Sequence, residues 1–353
     1  MKTKFLYFTL GLLILAFLLS GCSGGMTPSS WAGVTTDGET AYVAMATHVY
    51  AVQVSNGMER WRFPEKPDAK KTFFAAPTLT ADGQLIVGGY DRILYSLSPS
   101  NGSVNWTFED SKDHWIGSAV TGNDMIFAPS ADYNLYALDM QGKLVWKFTA
   151  EQALWGMPVI DGTNVYFGSM DHKVYALNMT TGKLVWSSEL DGSILGAITL
   201  GSDGVLYAGT LGDSVFALDT SSGKTIWQHA VSSRIWSAPV IGNGSLYVGD
   251  QAGKIVSLAA DSGKENWSIQ PDGPVLGSPL VFADLVVFGT ESGSLVAVDA
   301  EGKIKWSQTI TGKLYSTPVL AGDLILVAPV EGDATLIAFD QNGTQQWVYT
   351  PAK

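Results

Sequence analysis

The feature that most constrains the fold of this chain is a tryptophan that recurs at a nearly fixed period. Each of eight tryptophans stands four positions after a glycine, and successive ones are 45, 40, 40, 41, 40, 39 and 41 residues apart. They are Trp61, Trp106, Trp146, Trp186, Trp227, Trp267, Trp306 and Trp347. A fixed period of this length indicates one supersecondary unit copied eight times.

Each copy predicts four short strands. In the sixth copy, residues 236–240, 245–250, 254–258 and 263–267 are four short strand-like runs divided by Gly, Asn, Asp and Ser. Such runs are too short for helices and are typical of strands. Eight copies predict an all-β fold, an eight-bladed β-propeller with four antiparallel strands per blade, over residues 31–353. Because every copy holds its own four strands, the last blade should close against the first by side-chain packing alone.

The repeated tryptophan predicts a structural role. On the outermost strand, just after a turn, an indole can fill the wedge that opens between neighbouring blades far from the axis. The glycine before it can supply the positive φ that a tight turn requires. We therefore interpret the eight tryptophans as docking residues that join neighbouring blades.

The N-terminus carries an export signal. Lys2 and Lys4 precede an apolar stretch that ends in Leu19-Ser20-Gly21-Cys22. This pattern predicts a lipoprotein signal peptide over residues 1–21, lipidation of Cys22, and a flexible tether over residues 22–30. An ordinary signal peptide or a membrane-spanning anchor is the alternative. Since Cys22 is the only cysteine, the chain cannot form an internal disulfide.

The charge of the chain narrows the range of partners. The 353 residues carry 21 basic and 33 acidic side chains, a net charge of −12. Removal of residues 1–21 takes away two lysines and no acid, which leaves −14. This acidity argues against binding to nucleic acid and against electrostatic docking on anionic lipid.

Three of the copies carry a family resemblance. Residues 136–146, 175–186 and 216–227 each run from an aromatic-Ala-Leu-Asp/Asn segment through Gly-Lys to the docking tryptophan. They resemble the tryptophan-docking repeat of pyrroloquinoline quinone (PQQ) type propellers, and the resemblance extends over residues 31–350. That family includes quinoprotein dehydrogenases that bind PQQ and cofactor-free lipoproteins of the outer-membrane β-barrel assembly machine.

The sequence has few of the residues that quinoprotein dehydrogenases of that family use for catalysis. A second cysteine is missing, and no Asp-rich calcium loop occurs in the sequence. The four histidines lie in different copies, without the spacing of a metal site. Acidic residues at the turn between the second and third strands are interpreted as turn formers. These are Asp91, Asp132, Asp171 and Asp213. We predict no catalytic residue, no metal and no cofactor, and the residues do not support PQQ.

A binding surface is predicted at the mouth of the axial channel, from residues just before the first strand of successive blades. The candidates are Phe74, His114, Trp115, Trp155, Arg234, Trp236, Lys313 and Tyr315. Three of them are tryptophans outside the docking set. Either these tryptophans cap the core where the inner strands converge, or they form an aromatic and cationic ring for a peptide, a glycan or an aromatic small molecule.

These features lead to three functional hypotheses. The leading one is a non-enzymatic, lipid-anchored scaffold of the cell envelope that binds envelope proteins. It would lie on the periplasmic face of an outer membrane, or on the outer leaflet of the cytoplasmic membrane in a single-membrane organism. The second is a module that binds a small ligand, such as PQQ or a glycan, at the channel mouth, and the third is a quinoprotein oxidoreductase. An aromatic pocket would favour a ligand, whereas an exposed apolar patch or free strand edge would favour a protein partner.

Overall fold

The computed structural model describes residues 31–352, which form 32 strands and no α-helix. The predicted signal peptide, tether and lipidation site at Cys22 therefore lie outside the described residues. No helix in residues 31–352 is long and apolar enough to cross a membrane.

The strands form eight blades. Blades one to four comprise β1 Gly33–Thr36, β2 Thr40–Met45, β3 His48–Gln53, β4 Glu59–Phe63; β5 Thr78–Leu79, β6 Leu85–Gly88, β7 Leu94–Leu97, β8 Val104–Phe108; β9 Val120–Gly122, β10 Met125–Pro129, β11 Asn134–Asp139, β12 Leu144–Thr149; β13 Val159–Ile160, β14 Asn164–Gly168, β15 Lys173–Asn178 and β16 Leu184–Glu189. Blades five to eight comprise β17 Thr199–Leu200, β18 Val205–Gly209, β19 Ser214–Asp219, β20 Thr225–Ala230; β21 Val240–Gly242, β22 Ser245–Gly249, β23 Ile255–Ala259, β24 Glu265–Ile269; β25 Leu280–Phe282, β26 Leu285–Gly289, β27 Ser294–Val298, β28 Ile304–Thr309; β29 Val319–Ala321, β30 Leu324–Val327, β31 Leu336–Asp340 and β32 Gln345–Tyr349.

Each blade is one antiparallel sheet whose four strands pair in chain order. The blades stand in a ring, with first strands innermost, and β1 of blade one lies beside β29 of blade eight. The predicted eight-bladed propeller is confirmed.

Apolar side chains of neighbouring sheets interlock to form the core. Between blades four and five, for example, Tyr166 and Ala176 pack with Leu206 and Phe216, all of them buried. Both faces of the two middle strands are covered in this way, which explains their nearly continuous apolar runs. The hydrophobic core is therefore divided into eight layers, one between each pair of blades.

Each docking tryptophan bonds to the next blade. All eight indole Nε1 atoms donate to a backbone carbonyl there, over distances of 2.7 to 3.2 Å. Each indole also lies on the glycine of the next copy, where a Cβ would come within 2.4 to 2.7 Å of the ring. These glycines have φ between +66° and +81°. The repeated glycine and the repeated tryptophan thus take part in the same kind of contact, in which the indole of one copy packs on the glycine of the next.

A β-bulge precedes every docking tryptophan. In each blade the pairing of the third and fourth strands shifts at one residue, as at Val185, which is skipped between Leu184 and Trp186. The indole then lies opposite a small residue of the third strand, Ala176 in blade four. A bulge re-aims side chains along a strand, and the small partner leaves room for the ring.

The ring closes without a shared sheet within residues 31–352, as the sequence predicts. Trp347 of blade eight donates from Nε1 to the carbonyl of Val54 in blade one, at 2.8 Å. The Tyr349 hydroxyl donates to the carboxylate of Glu59, which also forms an ion pair with Arg62. These contacts, together with a shared apolar layer, join the first and last blades.

Candidate binding site at the axial mouth

Two sets of connections lie on one face of the propeller. The second and fourth strands of a blade run in the same direction, so the turn after the second strand and the loop to the next blade emerge on the same side. The loops then lead inward to the first strands around the axis. We call the opening of the axial channel on this face the axial mouth.

Apolar side chains, one from each blade, surround the axial mouth. Each stands just before the small residue that begins the innermost segment of its blade. The eight are Trp31, Phe74, Ile116, Trp155, Leu195, Trp236, Leu276 and Tyr315. All but Phe74 line a cavity of about 190 Å³ at the mouth, and Phe74 lines an adjoining cavity of about 230 Å³. Trp31 meets Trp236 edge to face, with ring centroids 5.9 Å apart.

Small residues after these side chains let the inner strands converge. A Cβ on Gly156 would come within 2.3 Å of the Gly196 carbonyl oxygen, and one on Gly196 within 2.5 Å of the Ser237 backbone. Any larger side chain here would push neighbouring blades apart at the axis. The narrow axis therefore keeps the aromatic side chains close together.

The structure brings four of the predicted mouth residues together: Phe74, Trp155, Trp236 and Tyr315. Trp115 does not line the mouth, because it is only 1% exposed and packs against Phe108 and Tyr136 in the core between blades two and three. For this tryptophan the core-capping interpretation is correct.

The charged candidates lie outside the cavity lining. His114 stacks on Tyr90, with ring centroids 3.5 Å apart, and Arg234 is exposed. Lys313 lies 3.0 Å from Glu331 and 3.7 Å from Glu291. Hydrogen bonds with Glu331 and Tyr315 raise the pKa of Lys313 to about 12. Its ammonium group is therefore charged and paired at neutral pH.

The other four mouth residues, Trp31, Ile116, Leu195 and Leu276, are not among the eight candidates predicted from the sequence. In each later blade the residue before the mouth side chain is buried, and Trp115 occupies that position in blade three. The equivalent residues are Phe73, Leu154, Ile194, Ile235, Val275 and Leu314, each 0% or 1% exposed. Aligning the eight copies on the small residue that begins the innermost segment would have identified the mouth residues, because each stands directly before it. Side chains of neighbouring residues in extended backbone point to opposite sides, so the residue one position earlier points into the core instead.

Three of the four acidic turn residues accept a hydrogen bond from a tyrosine of the strand that follows. The Asp132 carboxylate accepts from the Tyr136 hydroxyl at 2.7 Å and from the Lys112 amide at 2.8 Å. Burial raises the pKa of Asp132, but these hydrogen bonds outweigh it and hold the pKa below its usual value. Asp91 and Asp171 accept in the same way from Tyr95 and Tyr175. Within residues 31–352, no three His, Cys, Asp or Glu side chains are grouped to hold a metal ion.

A family model described as "Outer membrane protein assembly factor BamB" matches residues 23–147, 131–234, 213–301 and 277–352. The chain belongs to this family. The BamB of Moranella endobia is 24% identical over 214 residues, which cover 54% of this chain and 52% of that protein. A quinoprotein ethanol dehydrogenase of Pseudomonas aeruginosa is 30% identical over 127 residues, 31% of this chain and 20% of that enzyme.

The fold has close counterparts among solved structures. BamB from Moraxella catarrhalis has a TM-score of 0.73 at 18% identity, with 86% of this chain and 92% of that chain covered. The designed protein Ika8 also has a TM-score of 0.73, at 13% identity. At these identities the likeness concerns the fold. The chain spans about half the length of the Moranella BamB.

Proposed function

We propose that this protein is a lipid-anchored, non-enzymatic scaffold of the cell envelope that binds partner proteins of outer-membrane assembly. The observation that carries the proposal is the BamB family match, whose overlapping segments extend over residues 23–352. Lipidation at Cys22 would hold the propeller at the membrane and raise its effective concentration for partners there.

The outer surface of the propeller suits protein partners. Among residues 31–352, the fourth strand of each blade has a free edge, and exposed aliphatic side chains stand on this strand in consecutive blades: Val145, Leu184, Val185 and Ile226. Unpaired edges and exposed apolar patches are common features of surfaces that bind other proteins. The rigid ring presents several such edges at once.

The axial mouth does not fit PQQ. This quinone is a fused-ring tricarboxylate, and the residues that line the mouth cavity carry no charged side chain to pair with carboxylates. A cavity of about 190 Å³ is also smaller than the roughly 300–1,000 Å³ of typical sites for drug-sized ligands. We infer that the chain has no quinoprotein activity.

A module for a small neutral ligand is the second candidate. The four aromatic side chains that line the mouth cavity favour it, because rigid aromatics bind flat apolar groups. Free strand edges and the aromatic mouth occur in the same molecule, so binding experiments must separate the two functions.

The anchor has a direct test. Cys22→Ala should abolish lipid labelling and release a soluble or signal-retaining protein, because no other thiol exists in the chain. Metabolic labelling with a palmitate analogue and membrane fractionation measure both effects. Full membrane retention of a correctly cleaved Cys22→Ala protein would contradict the proposed anchor.

The scaffold function is tested by identifying the proteins that bind this chain in its own membranes. The tethered protein would be cross-linked in its own membranes, purified and analysed by mass spectrometry. We expect a component of outer-membrane assembly to be enriched over a Cys22→Ala control. Reproducible absence of any protein partner would overturn the scaffold in favour of the ligand module.

A further inference from the structure

A second cavity opens on the outer side of the propeller, between blades six and seven. Its volume is about 240 Å³, and it lies beside the outer strands β24 and β28. It shares no lining residue with the axial mouth. Six of the residues around it are Ile269, Asp272, Ser294, Val296, Ile304 and Ser307. Ile304 is 57% exposed, which leaves this edge of the cavity open to solvent.

The other blades show what fills this space elsewhere in the ring. At four of the eight interfaces, the residue two positions after the docking tryptophan is aromatic, and it packs against an aromatic residue on the third strand of the next blade. The pairs are Phe63 with Tyr95, Phe108 with Tyr136, Phe148 with Tyr175, and Tyr349 with Tyr50, with ring centroids 5.3 to 5.8 Å apart. Aromatic pairs prefer separations of about 4.5 to 7 Å. This position of a blade interface therefore accommodates aromatic rings.

Blades six and seven have smaller side chains at the same two positions. Ile269 stands two residues after the docking tryptophan of blade six. Val296 holds the third-strand position in blade seven that Tyr175 holds in blade four. Two aliphatic side chains occupy less volume than two rings, and a cavity remains between them. Since an engineered cavity of roughly 150 Å³ binds benzene, this one has room for a single aromatic ring.

One edge of the cavity carries a carboxylate. Asp272 accepts hydrogen bonds from the Thr290 hydroxyl at 3.1 Å and from the Ser294 hydroxyl at 2.6 Å. The two oxygens of a carboxylate provide about four acceptor sites, so Asp272 can accept from a further donor. Much of the remaining lining is aliphatic. A molecule that matches the cavity therefore has an apolar body and one hydrogen-bond donor.

The interface between blades four and five shows where this donor would lie. Asp191 there holds the position of Asp272, and it likewise accepts from a threonine of the next blade, Thr210, at 2.6 Å. It also accepts from the side-chain amide of Gln228 at 3.1 Å. Gln228 directly follows its docking tryptophan, and blade seven has Ser307 at that position. Because a serine side chain is shorter than that of glutamine, a bound molecule can take the place of this donor.

We propose that the cavity between blades six and seven binds a small phenolic molecule. The ring lies between Ile269 and Val296, in the space that aromatic side chains fill at other interfaces, and the phenolic hydroxyl donates to the Asp272 carboxylate. An aromatic acid is repelled by Asp272, so the site selects neutral phenols. This site goes beyond the proposed scaffold function and does not depend on it.

Titration calorimetry with the full-length lipoprotein in detergent micelles tests the site. Phenol is the probe, and it is compared with benzoate and with anisole, which retains the ring but has no hydroxyl to donate. We expect saturable phenol binding that is at least about tenfold tighter than that of either comparison, because a hydrogen bond to a charged acceptor is lost in both. The Val296→Tyr protein in the same micelles corrects for phenol that dissolves in detergent.

Substitutions at the two ends of the cavity separate its apolar part from its polar part. Val296→Tyr should abolish phenol binding and raise the midpoint of thermal unfolding by about 2 °C, because it fills the cavity. If this variant does not fold, Ile269→Phe fills the cavity from the other blade. Ser307→Gln should weaken phenol binding at least about fivefold by donating to Asp272. The control is Ser187→Gln, at the same position of blade four, which should change phenol binding less than about twofold.

Several results would overturn the proposal. They are the absence of saturable phenol binding, equal binding of phenol and anisole, and equal phenol binding by the unsubstituted and cavity-filled proteins. A loss of binding in Ser187→Gln equal to that in Ser307→Gln would also place the phenol elsewhere. Tighter binding of the peptide Ac-Gly-Tyr-Gly-NH2 than of phenol would replace the small molecule by a tyrosine of a protein segment.

Discussion

At the residue scale, the repeat is explained by contacts between copies. The glycine of one copy receives the indole of the preceding copy, as Gly182 does for Trp146 and Gly223 for Trp186. Glycine is required twice at such a position, for its positive φ and for the absence of a Cβ under the ring. The four-residue spacing within a copy therefore records two different blade interfaces.

Two glycines of blade four distinguish the requirement for a positive φ from the requirement for no Cβ under an indole. Gly182→Ala should destabilise the fold by about 2 to 4 kcal/mol, because its Cβ would lie within 2.6 Å of the Trp146 indole. Gly162→Ala, at a φ of +91° with no atom within 4 Å of the added Cβ, should cost only about 1 kcal/mol. Urea denaturation measures both. Equal losses would mean that the indole contact contributes nothing.

A docking tryptophan contributes packing and a hydrogen bond. Trp186 is half-buried, packs near Tyr166, and donates from Nε1 to the Thr220 carbonyl at 2.8 Å. Trp186→Ala should cost about 3 kcal/mol, the lower end for a large aromatic, because part of the ring is exposed. Trp186→Phe retains most of the packing and should cost about 1 kcal/mol. A loss below about 0.5 kcal/mol for the alanine variant would refute the docking role.

At the element scale, the contact between β4 and β32 joins blade one to blade eight. Burial raises the pKa of Glu59 less than the hydrogen bonds from Arg62 and Tyr349 lower it, so the pKa of Glu59 lies below 4.5. A lowered carboxyl pKa stabilises the fold above the ordinary pKa, and this contribution disappears as pH falls through the folded value. The closure between the blades should therefore loosen in acid.

Glu59→Gln should reproduce this loss at neutral pH. We expect a destabilisation of about 1 to 2 kcal/mol at pH 7, because a charge-assisted hydrogen bond is removed. The difference from the unsubstituted protein should shrink as the pH falls from 5 to 3. Glu39→Gln, an exposed glutamate of the same blade, is the control and should have little effect. A pH-independent difference would rule out ionised Glu59 as the stabilising group.

At the scale of the whole molecule, seven blade interfaces are reinforced by a chain connection and one is not. Blades one and eight meet through Trp347, Tyr349 and a shared apolar layer, and Arg62 Nη1 donates to the Ala352 carbonyl at 3.2 Å. These bonds replace some of what a connecting loop would provide. Local opening should still occur most readily between blades one and eight.

Hydrogen exchange can locate the weakest interface. Amides in the outer strands of blades one and eight should exchange faster than those of blades four and five, because the terminal blades can separate without breaking a chain connection. Mass spectrometry of peptic fragments at pH 7 measures the order. Uniform exchange around the ring would show that side-chain packing alone closes it as firmly as a loop.

The sequence alone predicted the number of blades, the strands in each, the docking role of the tryptophans and, within residues 31–352, the closure without a shared sheet. All of these follow from a period and from local composition, which repeat in every copy. Phe74, Trp155, Trp236 and Tyr315 were found at the mouth because their position follows from the same repeat.

The tertiary structure decided which side chains enter the core and which line the mouth. This depends on the side to which each residue of an extended segment points and on the neighbours that other blades supply. Trp115 and Ile116 are adjacent in sequence, yet one enters the core and the other lines the mouth, because a shift of one residue reverses the side to which a side chain points. The bulge before each docking tryptophan and the bond between Tyr349 and Glu59 likewise arise from partners brought together by ring closure. Sequence periodicity specifies each blade, whereas the shape of the mouth exists only when all eight blades converge on one axis.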